Sequence, residues 1–135
     1  MADCIFCKII EGKIPSSKVY EDKDTFAFLD INPVNKGHAL VVAKKHTADL
    51  LDTDSVMLGK LMVTTQKVAH AVIKGVGADG FNIGINNKSA AGQLVFHLHV
   101  HIIPRFSGDG LKHWPGKKLT EQEMRDVQEK IKGQF

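Results

Sequence analysis

Three histidines alternate with apolar residues in one short run near the end of the chain, residues 97–103 (HLHVHII). Successive side chains of a β-strand point to opposite faces of the sheet. The run therefore predicts a strand with His97, His99 and His101 on one face. Its other face, with Leu98, Val100 and Ile102, is then directed to a hydrophobic core. A chain with this run must fold around a sheet that has one apolar and one chemically active face.

The spacing of the three imidazoles limits what they can do together. On a strand, neighbours in the row lie about 6–7 Å apart and the outer two about 13 Å apart. One metal ion can therefore bind two of them but not easily all three. The row instead indicates three separate roles, those of a nucleophile, a group that orients it or binds an anion, and a metal ligand. The alternative is three histidines that are merely tolerated on a strand.

The rest of the chain alternates between strand and helix patterns. Strand-like segments cover residues 19–21, 25–31, 38–44 and 81–86, and in the last of these Phe81, Ile83 and Ile85 are expected to face the core. Apolar residues recur every three or four positions over 54–76, which predicts a long amphipathic helix. Short helices are expected at 5–11 and 120–132, the latter with a capping box from Thr120. The predicted class is α+β, with an antiparallel meander sheet, one long helix and short terminal helices.

Length and composition exclude several classes of protein. The 135 residues suit a single domain, with an N-terminal segment of about 1–15 and a C-terminal tail of about 106–135. No apolar run approaches the roughly 20 residues of a membrane span, and the start does not resemble a secretory signal. The net charge of +3 comes from scattered basic residues, so nucleic acid is not an expected partner. A cytoplasmic location is expected.

The only two cysteines form a C-x-x-C motif, Cys4 and Cys7. In a cytoplasmic protein this motif indicates zinc binding or redox chemistry more often than a structural disulfide. The redox version normally follows a strand in a βαβ unit, and no such unit follows here. A zinc ion needs four ligands, so two histidines would have to come from elsewhere in the chain.

The histidine run resembles the signature of the histidine-triad (HIT) superfamily, His-φ-His-φ-His-φ-φ with φ apolar. Three further blocks also resemble the family: CIFCKIIEGKIPSSKVYED, FLDINPVNKGHALVVAKKH and GFNIGINNKSAAGQLVFHLHVHIIPR. Together with His113-Trp114-Pro115-Gly116 they are similar to the Hint branch. The resemblance implies a HIT-like fold and a nucleotide-binding hydrolase or transferase that acts on nucleoside phosphoramidates or related nucleotidyl conjugates.

The resemblance also implies roles for individual residues. His99 matches the nucleophile that forms a nucleotidyl-histidine, while His101 and His38 match histidines beside the phosphate. The positions that match nucleotide-binding residues are Ile5, Phe6, Ile9, Phe28 and Ile31 for an apolar base pocket, Asp30 for the ribose hydroxyls, Asn86, Gly92 and Gln93 near the phosphates, and His99 and His101 themselves. Those that match the ligands of one structural zinc ion per chain are Cys4, Cys7, His46 and His97. Leu94 departs from the pattern, because many relatives have Ser or Thr there.

Two expectations about partners come from the same resemblance. Relatives form homodimers through the long helix and the FNIGIN strand, and their tail reaches towards the partner's active site. The ligand is expected to be a purine nucleotide or a nucleotidyl conjugate. The alternative to an enzyme is a purine-nucleotide-binding adaptor module without catalysis, an interpretation that Leu94 favours because leucine cannot donate a hydrogen bond to the phosphate or the leaving group.

Overall fold

The computed structural model describes residues 3–135. Five strands and three helices follow one another in the chain: α1 (Ile5–Ile10), β1 (Lys18–Glu21), β2 (Thr25–Leu29), β3 (Ala39–Ala43), α2 (Ser55–Val76), β4 (Gly80–Gly84), β5 (His99–Arg105) and α3 (Glu121–Lys132). The predicted α+β class is confirmed. Residues 1 and 2 of the predicted N-terminal segment lie outside the described residues.

All strand pairs in the five-stranded sheet are antiparallel, in the order β1-β2-β3-β5-β4. The first three strands form a meander. Helix α2 then leads to the far edge of the sheet, where β4 lies, and β5 returns to fill the place between β3 and β4. This order puts the histidine strand in the interior of the sheet, beside the all-apolar strand β3.

The two faces of the sheet support different structures. Alternate residues of β2, β3 and β5 pack beneath α2, and this core includes Ala27, Val41, Leu61, Val100 and Ile102. The opposite face packs against α1 and forms a smaller cluster of Phe6, Ile9, Phe26, Phe28, Leu40 and Val42. Every residue of β3 is buried because both faces are covered, which explains its unbroken apolar run.

Helix α2 begins and ends where the sequence predicts. The Asp54 carboxylate accepts a hydrogen bond from the amide of Met57 at 2.8 Å and caps the first turn. Gly77 ends the helix with a φ of 67°, a left-handed conformation that glycine adopts without strain. At the start of β3, Gly37 lies so close to the end of α2 that a Cβ atom would be 2.9 Å from Val76 Cγ1. The chain therefore turns tightly under the helix.

Two strand predictions are wrong in detail. Phe81 and Ile83 on β4 are 47% and 41% exposed, because they face a groove between the edge strand and α2 instead of the core. The alternating pattern alone cannot distinguish a core from such a groove. The strand expected at residues 97–103 begins only at His99, since Leu98 donates its amide hydrogen to the carbonyl of Thr47 and not to a neighbouring strand.

The C-terminal tail leaves the sheet through a compact turn around Asp109. Its carboxylate accepts hydrogen bonds from Arg105, from Asn35 and from the amides of Phe106 and Leu111. The Arg105 guanidinium holds the pKa of the Asp109 carboxyl well below its usual range. Helix α3 follows with the predicted capping box at Thr120, and all of its residues are exposed. Within residues 3–135, no helix is both long and apolar enough to cross a membrane.

Candidate active site and metal centre

His99 begins β5 on the α1 side of the sheet, and its ring is 7% exposed. Its Nδ1 atom lies 2.8 Å from the carbonyl oxygen of His97. A carbonyl can only accept, so Nδ1 carries the proton of the neutral ring and Nε2 keeps a free lone pair. Burial lowers the pKa of His99, which favours this neutral form. Within residues 3–135, Nε2 has no hydrogen-bond partner, as a nucleophilic nitrogen requires.

The rings of His38 and His101 are joined by a hydrogen bond beside His99. The amide of Val34 donates to Nδ1 of His38 at 3.0 Å, which places the proton of His38 on Nε2. That proton is donated to Nδ1 of His101 at 2.9 Å, so the proton of His101 lies on its own Nε2. This Nε2 is buried and has no hydrogen-bond partner among the described residues. A buried donor without a partner costs about 1–3 kcal/mol, so the position favours a ligand that accepts.

The electrostatics keep this group of histidines neutral. Burial lowers the pKa of His101 to about 4, with further lowering from the neighbouring His99 and His38. Burial also lowers the pKa of His38, against the opposing effect of Asp30. At neutral pH the site therefore offers a nucleophilic nitrogen and a donor in place of positive charge.

The role of His38 differs from the expected one. Its single ring proton is directed to His101, so it has no second N–H for a phosphate oxygen. The structure makes it the residue that sets the tautomer of His101.

Asp30 completes the cluster, with a carboxylate oxygen 3.6 Å from Nε2 of His38. Its other oxygen accepts from the amide of Asn32 at 2.8 Å. Asp30, His38 and His101 have ligand atoms within 4.8 Å of one another. A metal on Nε2 of His38 would move the ring proton to Nδ1, facing the Val34 N–H, and two donors would then oppose each other. The trio therefore fits hydrogen bonding better than metal binding.

The loop before β5 is held by its own side chains. Gln93 is buried and uses its whole amide group internally: Nε2 donates to the carbonyls of Ala48 and Val95, and Oε1 accepts from the amide of Lys88. The sequence places Gln93 near the phosphates, but its side chain has no free donor for them. It fixes the loop instead.

Asn86 and Gly92 lie next to each other at the edge of a cavity. A Cβ atom on Gly92 would lie 4.0 Å from the Asn86 side-chain nitrogen, so the two residues adjoin. Asn86 lines a cavity of about 540 Å³ together with His38 and His101. Residues 111–114 of the tail line the same cavity. Leu94, after the loop, is 89% exposed.

The residues expected to form the nucleobase pocket divide into two groups. Phe6, Ile9 and Phe28 are buried together in the α1-side cluster, where they pack against one another. Ile5 and Ile31 are exposed, the latter to 90%. Strand β2 ends at Leu29, so Ile31 lies beyond it in a turn. Ile5 and Ile31 therefore contribute most of the exposed apolar surface of this set.

The four predicted metal ligands meet between α1 and the start of β5. The Nδ1 atom of His97 lies 3.4 Å from the sulfur of Cys4 and 3.6 Å from that of Cys7, and Nδ1 of His46 lies 3.4 Å from the Cys7 sulfur. A tetrahedral ion with two sulfur and two nitrogen ligands places such atoms about 3.5 Å apart. The donor set therefore fits a closed four-ligand site.

The ring of His97 is oriented for metal binding. Its Nε2 donates to the carbonyl of Ala43 at 2.7 Å, which directs the lone pair of Nδ1 towards the sulfurs. Metal-bound histidines usually hold their other N–H in this way. Burial, and then the adjacent Cys4, raises the pKa of Cys7 to about 11. A cation is therefore needed to hold the Cys7 sulfur as a thiolate near neutral pH.

Sequence reasoning missed the main-chain groups that assign the ring protons. Val34 N–H, Ala43 C=O and His97 C=O each determine one tautomer, and no side-chain pattern reveals them. These contacts depend on the pairing of β3 with β5, which the sequence does not reveal. The contact of the tail with the cavity of the same chain was also not predicted.

Comparison with known proteins agrees with this geometry. A model of the HIT domain matches residues 11–108. The adenosine 5′-monophosphoramidase hnt1 of Schizosaccharomyces pombe is 38% identical over 130 residues, which cover 95% of each chain. A crystal structure of a HIT-family member from Bacillus subtilis is 37% identical, with a TM-score of 0.90 over 98% of this chain and 97% of that one.

A zinc-bound histidine triad family protein from Mycobacterium smegmatis is also similar in structure. It is 36% identical, with a TM-score of 0.79 over 99% of each chain. The family model covers most of the sequence, and the histidines of its signature lie together in the structure. The chain belongs to the HIT-domain family.

Proposed function

We propose that the protein hydrolyses nucleoside phosphoramidates or related nucleotidyl conjugates through a nucleotidyl-histidine on His99. The observation that carries this proposal is the 2.8 Å hydrogen bond from Nδ1 of His99 to the carbonyl of His97, which leaves Nε2 as a neutral nucleophile. The adenosine 5′-monophosphoramidase activity named for the Schizosaccharomyces pombe relative supports the substrate class.

In the first step, the Nε2 lone pair of His99 forms a bond to the α-phosphorus. The bond from phosphorus to the leaving amine breaks and its electron pair stays with the amine. The amine takes up a proton from solvent water as it leaves, while the N–H of His101 donates a hydrogen bond to a phosphoryl oxygen. Because both rings are neutral, His99 stays nucleophilic and His101 stays able to donate a hydrogen bond.

In the second step, water attacks the phosphorus of the nucleotidyl-histidine. The proton of the attacking water is released to solvent, and the bond from phosphorus to His99 breaks, restoring the lone pair. The net products are the nucleoside monophosphate and the free amine. An acceptor other than water would make the same sequence a transfer reaction.

Nucleotide recognition is proposed for the residues around this centre. The Asp30 carboxylate retains accepting capacity for the ribose hydroxyls, and the Asn86 amide faces the cavity beside His101. Ile5 and Ile31 offer exposed apolar surface for a purine. Phe6, Ile9 and Phe28 stand behind the site, while Gly92 and Gln93 shape the loop.

The metal in the four-ligand site is proposed to be zinc, one ion per chain. Cys4, Cys7, His46 and His97 would hold it, and the zinc-bound structural relative supports this identity. With all four positions taken by protein, the ion supplies structural closure and no open coordination position. Because the site needs thiolates, the cytoplasm is the proposed compartment.

A homodimer is proposed through the groove between α2 and β4. Phe81 and Ile83 are exposed there beside Met62 and Ile73, and β4 is an open sheet edge. Exposed apolar patches and unpaired edges are typical of interfaces. A second copy of the chain would cover both.

Release of AMP from an adenosine phosphoramidate tests the proposed activity. Wild-type protein is expected to release AMP in many turnovers, and His99→Asn is expected to bind AMP with little change but release none. Binding without any turnover in the wild type would instead support a nucleotide-binding module, with Leu94 as the first residue to exchange for Ser.

A further inference from the structure

Phe6 lies between the two metal-ligating cysteines in the sequence and between the metal centre and His99 in space. Its ring is 5.0 Å from the ring of His99, centre to centre, at an angle of 86°. It also contacts the rings of His97 at 6.0 Å and Phe28 at 5.3 Å. Such edge-to-face contacts have a defined geometry, so they restrain the orientation of both rings.

The position of Phe6 depends on the metal centre because α1 is short. The helix has six residues, far fewer than a helix needs to persist by itself. Cys4 caps its start by accepting from the amide of Cys7, and both sulfurs lie against His46 and His97. A bound ion would join α1 to the sheet at two points, one on each side of Phe6.

A second connection runs through the main chain. The ring of His97 is directed at the cysteines by Nδ1 and at the carbonyl of Ala43 by Nε2. The carbonyl of the same residue accepts the proton of His99. His97 and Phe6 thus restrain the imidazole of His99 in two ways: the carbonyl of His97 holds Nδ1, and the ring of Phe6 limits rotation.

We propose that Phe6, held in place by the metal centre, is a positioning residue that fixes the imidazole of His99, so that metal occupancy controls nucleophilic attack. This inference rests on the proposed function, in which His99 is the nucleophile. The role is additional to the nucleotide contact that the resemblance implies for Phe6. The ring is 6% exposed, so its orientation is set by the side chains packed around it.

The expected effect is on the rate of attack. Misplacement of a reacting group by about 1 Å costs about 100-fold in rate. Phe6→Leu keeps most of the apolar volume and removes the aromatic edge. Phe26→Leu is the matched control, because Phe26 is 5% exposed in the same cluster and contacts Phe28 but not His99.

The experiment compares the zinc-loaded full-length proteins by three measurements. These are the rate of nucleotidyl-adduct formation in rapid mixing, the dissociation constant for AMP, and the tautomer of His99 from long-range ¹H–¹⁵N NMR. At a substrate concentration that saturates each variant, as judged from its AMP dissociation constant, Phe6→Leu is expected to slow adduct formation about 10- to 100-fold and to mix the His99 tautomers. Phe26→Leu is expected to leave all three unchanged.

Equal effects in the two variants, or a single unchanged His99 tautomer in Phe6→Leu, would overturn the positioning role. A second experiment tests the dependence on the metal, using wild-type protein that is stripped of zinc by a chelator and then reloaded. Loss of zinc is expected to mix the His99 tautomers while the helical circular dichroism signal, which comes mainly from α2, stays the same. Added Zn²⁺ is expected to restore a single tautomer. An unchanged tautomer after verified zinc loss would contradict the proposal.

The NMR readout separates this inference from the proposed function. If the loaded wild type forms no adduct, the proposed function fails. The dependence of the His99 tautomer on Phe6 and on zinc is still measured in that case, and it supports or overturns the positioning role independently of turnover.

Discussion

Nε2 of His38 lies 2.9 Å from Nδ1 of His101, and this one hydrogen bond orders the protons of both rings. The Val34 amide fixes the first ring from behind, so the second must present an N–H to the cavity. A donor whose tautomer is preset needs no reorganisation when charge develops on a substrate.

The ordering of the two rings predicts distinct effects of two substitutions at His38. His38→Leu removes the donor to His101, so its free N–H is no longer enforced, and adduct formation should slow about 100-fold. His38→Gln retains an N–H of similar reach and should keep most of the rate. Rapid-mixing kinetics of both variants check this, and equal losses would show that the ring acts in another way.

The buried neutral His101 predicts a pH dependence of stability. Its folded pKa is lowered to about 4, against 6.5 when unfolded, so the unfolded state binds more protons between these values. Stability from this group is present above about pH 6.5 and is lost as pH falls towards 4. The free energy of unfolding in His101→Phe should fall less steeply over this window, by up to ~1.4 kcal/mol per pH unit. Identical slopes in variant and wild type, both loaded with zinc, would refute the neutral assignment.

The core beneath α2 predicts a large cost for truncation at Leu61. This side chain is 1% exposed and packs against the sheet, so Leu61→Ala should lower the free energy of unfolding by about 2–5 kcal/mol. Leu51→Ala is the matched control, because Leu51 is 82% exposed. Chemical denaturation measures both, and a loss below about 1 kcal/mol at Leu61 would contradict the packing described.

The groove between α2 and β4 predicts the consequence of a charge at Phe81. Helix α2 carries Lys60, Lys67 and Lys74 and no acidic residue, so Phe81→Lys adds a like charge to an apolar contact surface. Sedimentation should show the wild type as a dimer and the variant as a monomer with an unchanged circular dichroism spectrum. Leu51→Lys should remain a dimer. A monomeric wild type, or a dimeric Phe81→Lys, would place the interface elsewhere or remove it.

The elements of the fold follow closely from the sequence pattern, whereas their neighbours in space do not. The periodicity over α2 and its capping residues locate that helix to within a residue. The same alternation in β4 predicts burial for Phe81 and Ile83 and is wrong, because an apolar face at a sheet edge has the same pattern as one in a core. Strand order depends on long-range pairing, so the place of β5 between β3 and β4 could not be predicted from local residues.

The sequence indicates which residues form the site, but it does not indicate which nitrogen of each histidine ring carries the proton. The resemblance to the HIT family, carried by the triad and the C-x-x-C motif, implies His99 as the nucleophile and the four metal ligands, and the structure brings the ligands together. Whether His38 contacts a phosphate or a second histidine depends on the Val34 amide. The pattern around Gln93 likewise does not reveal that its amide is already used within the loop.

Nε2 of His99 is expected to become bonded to phosphorus during turnover, and every step of the proposed reaction depends on that bond. The most direct test mixes zinc-loaded protein with an adenosine phosphoramidate, quenches within milliseconds and measures the intact mass. We expect a mass increase of one adenylyl group in the wild type, mapped to His99 and absent from His99→Ala. Turnover with no adduct at any quench time, or an adduct that persists in His99→Ala, would contradict this mechanism.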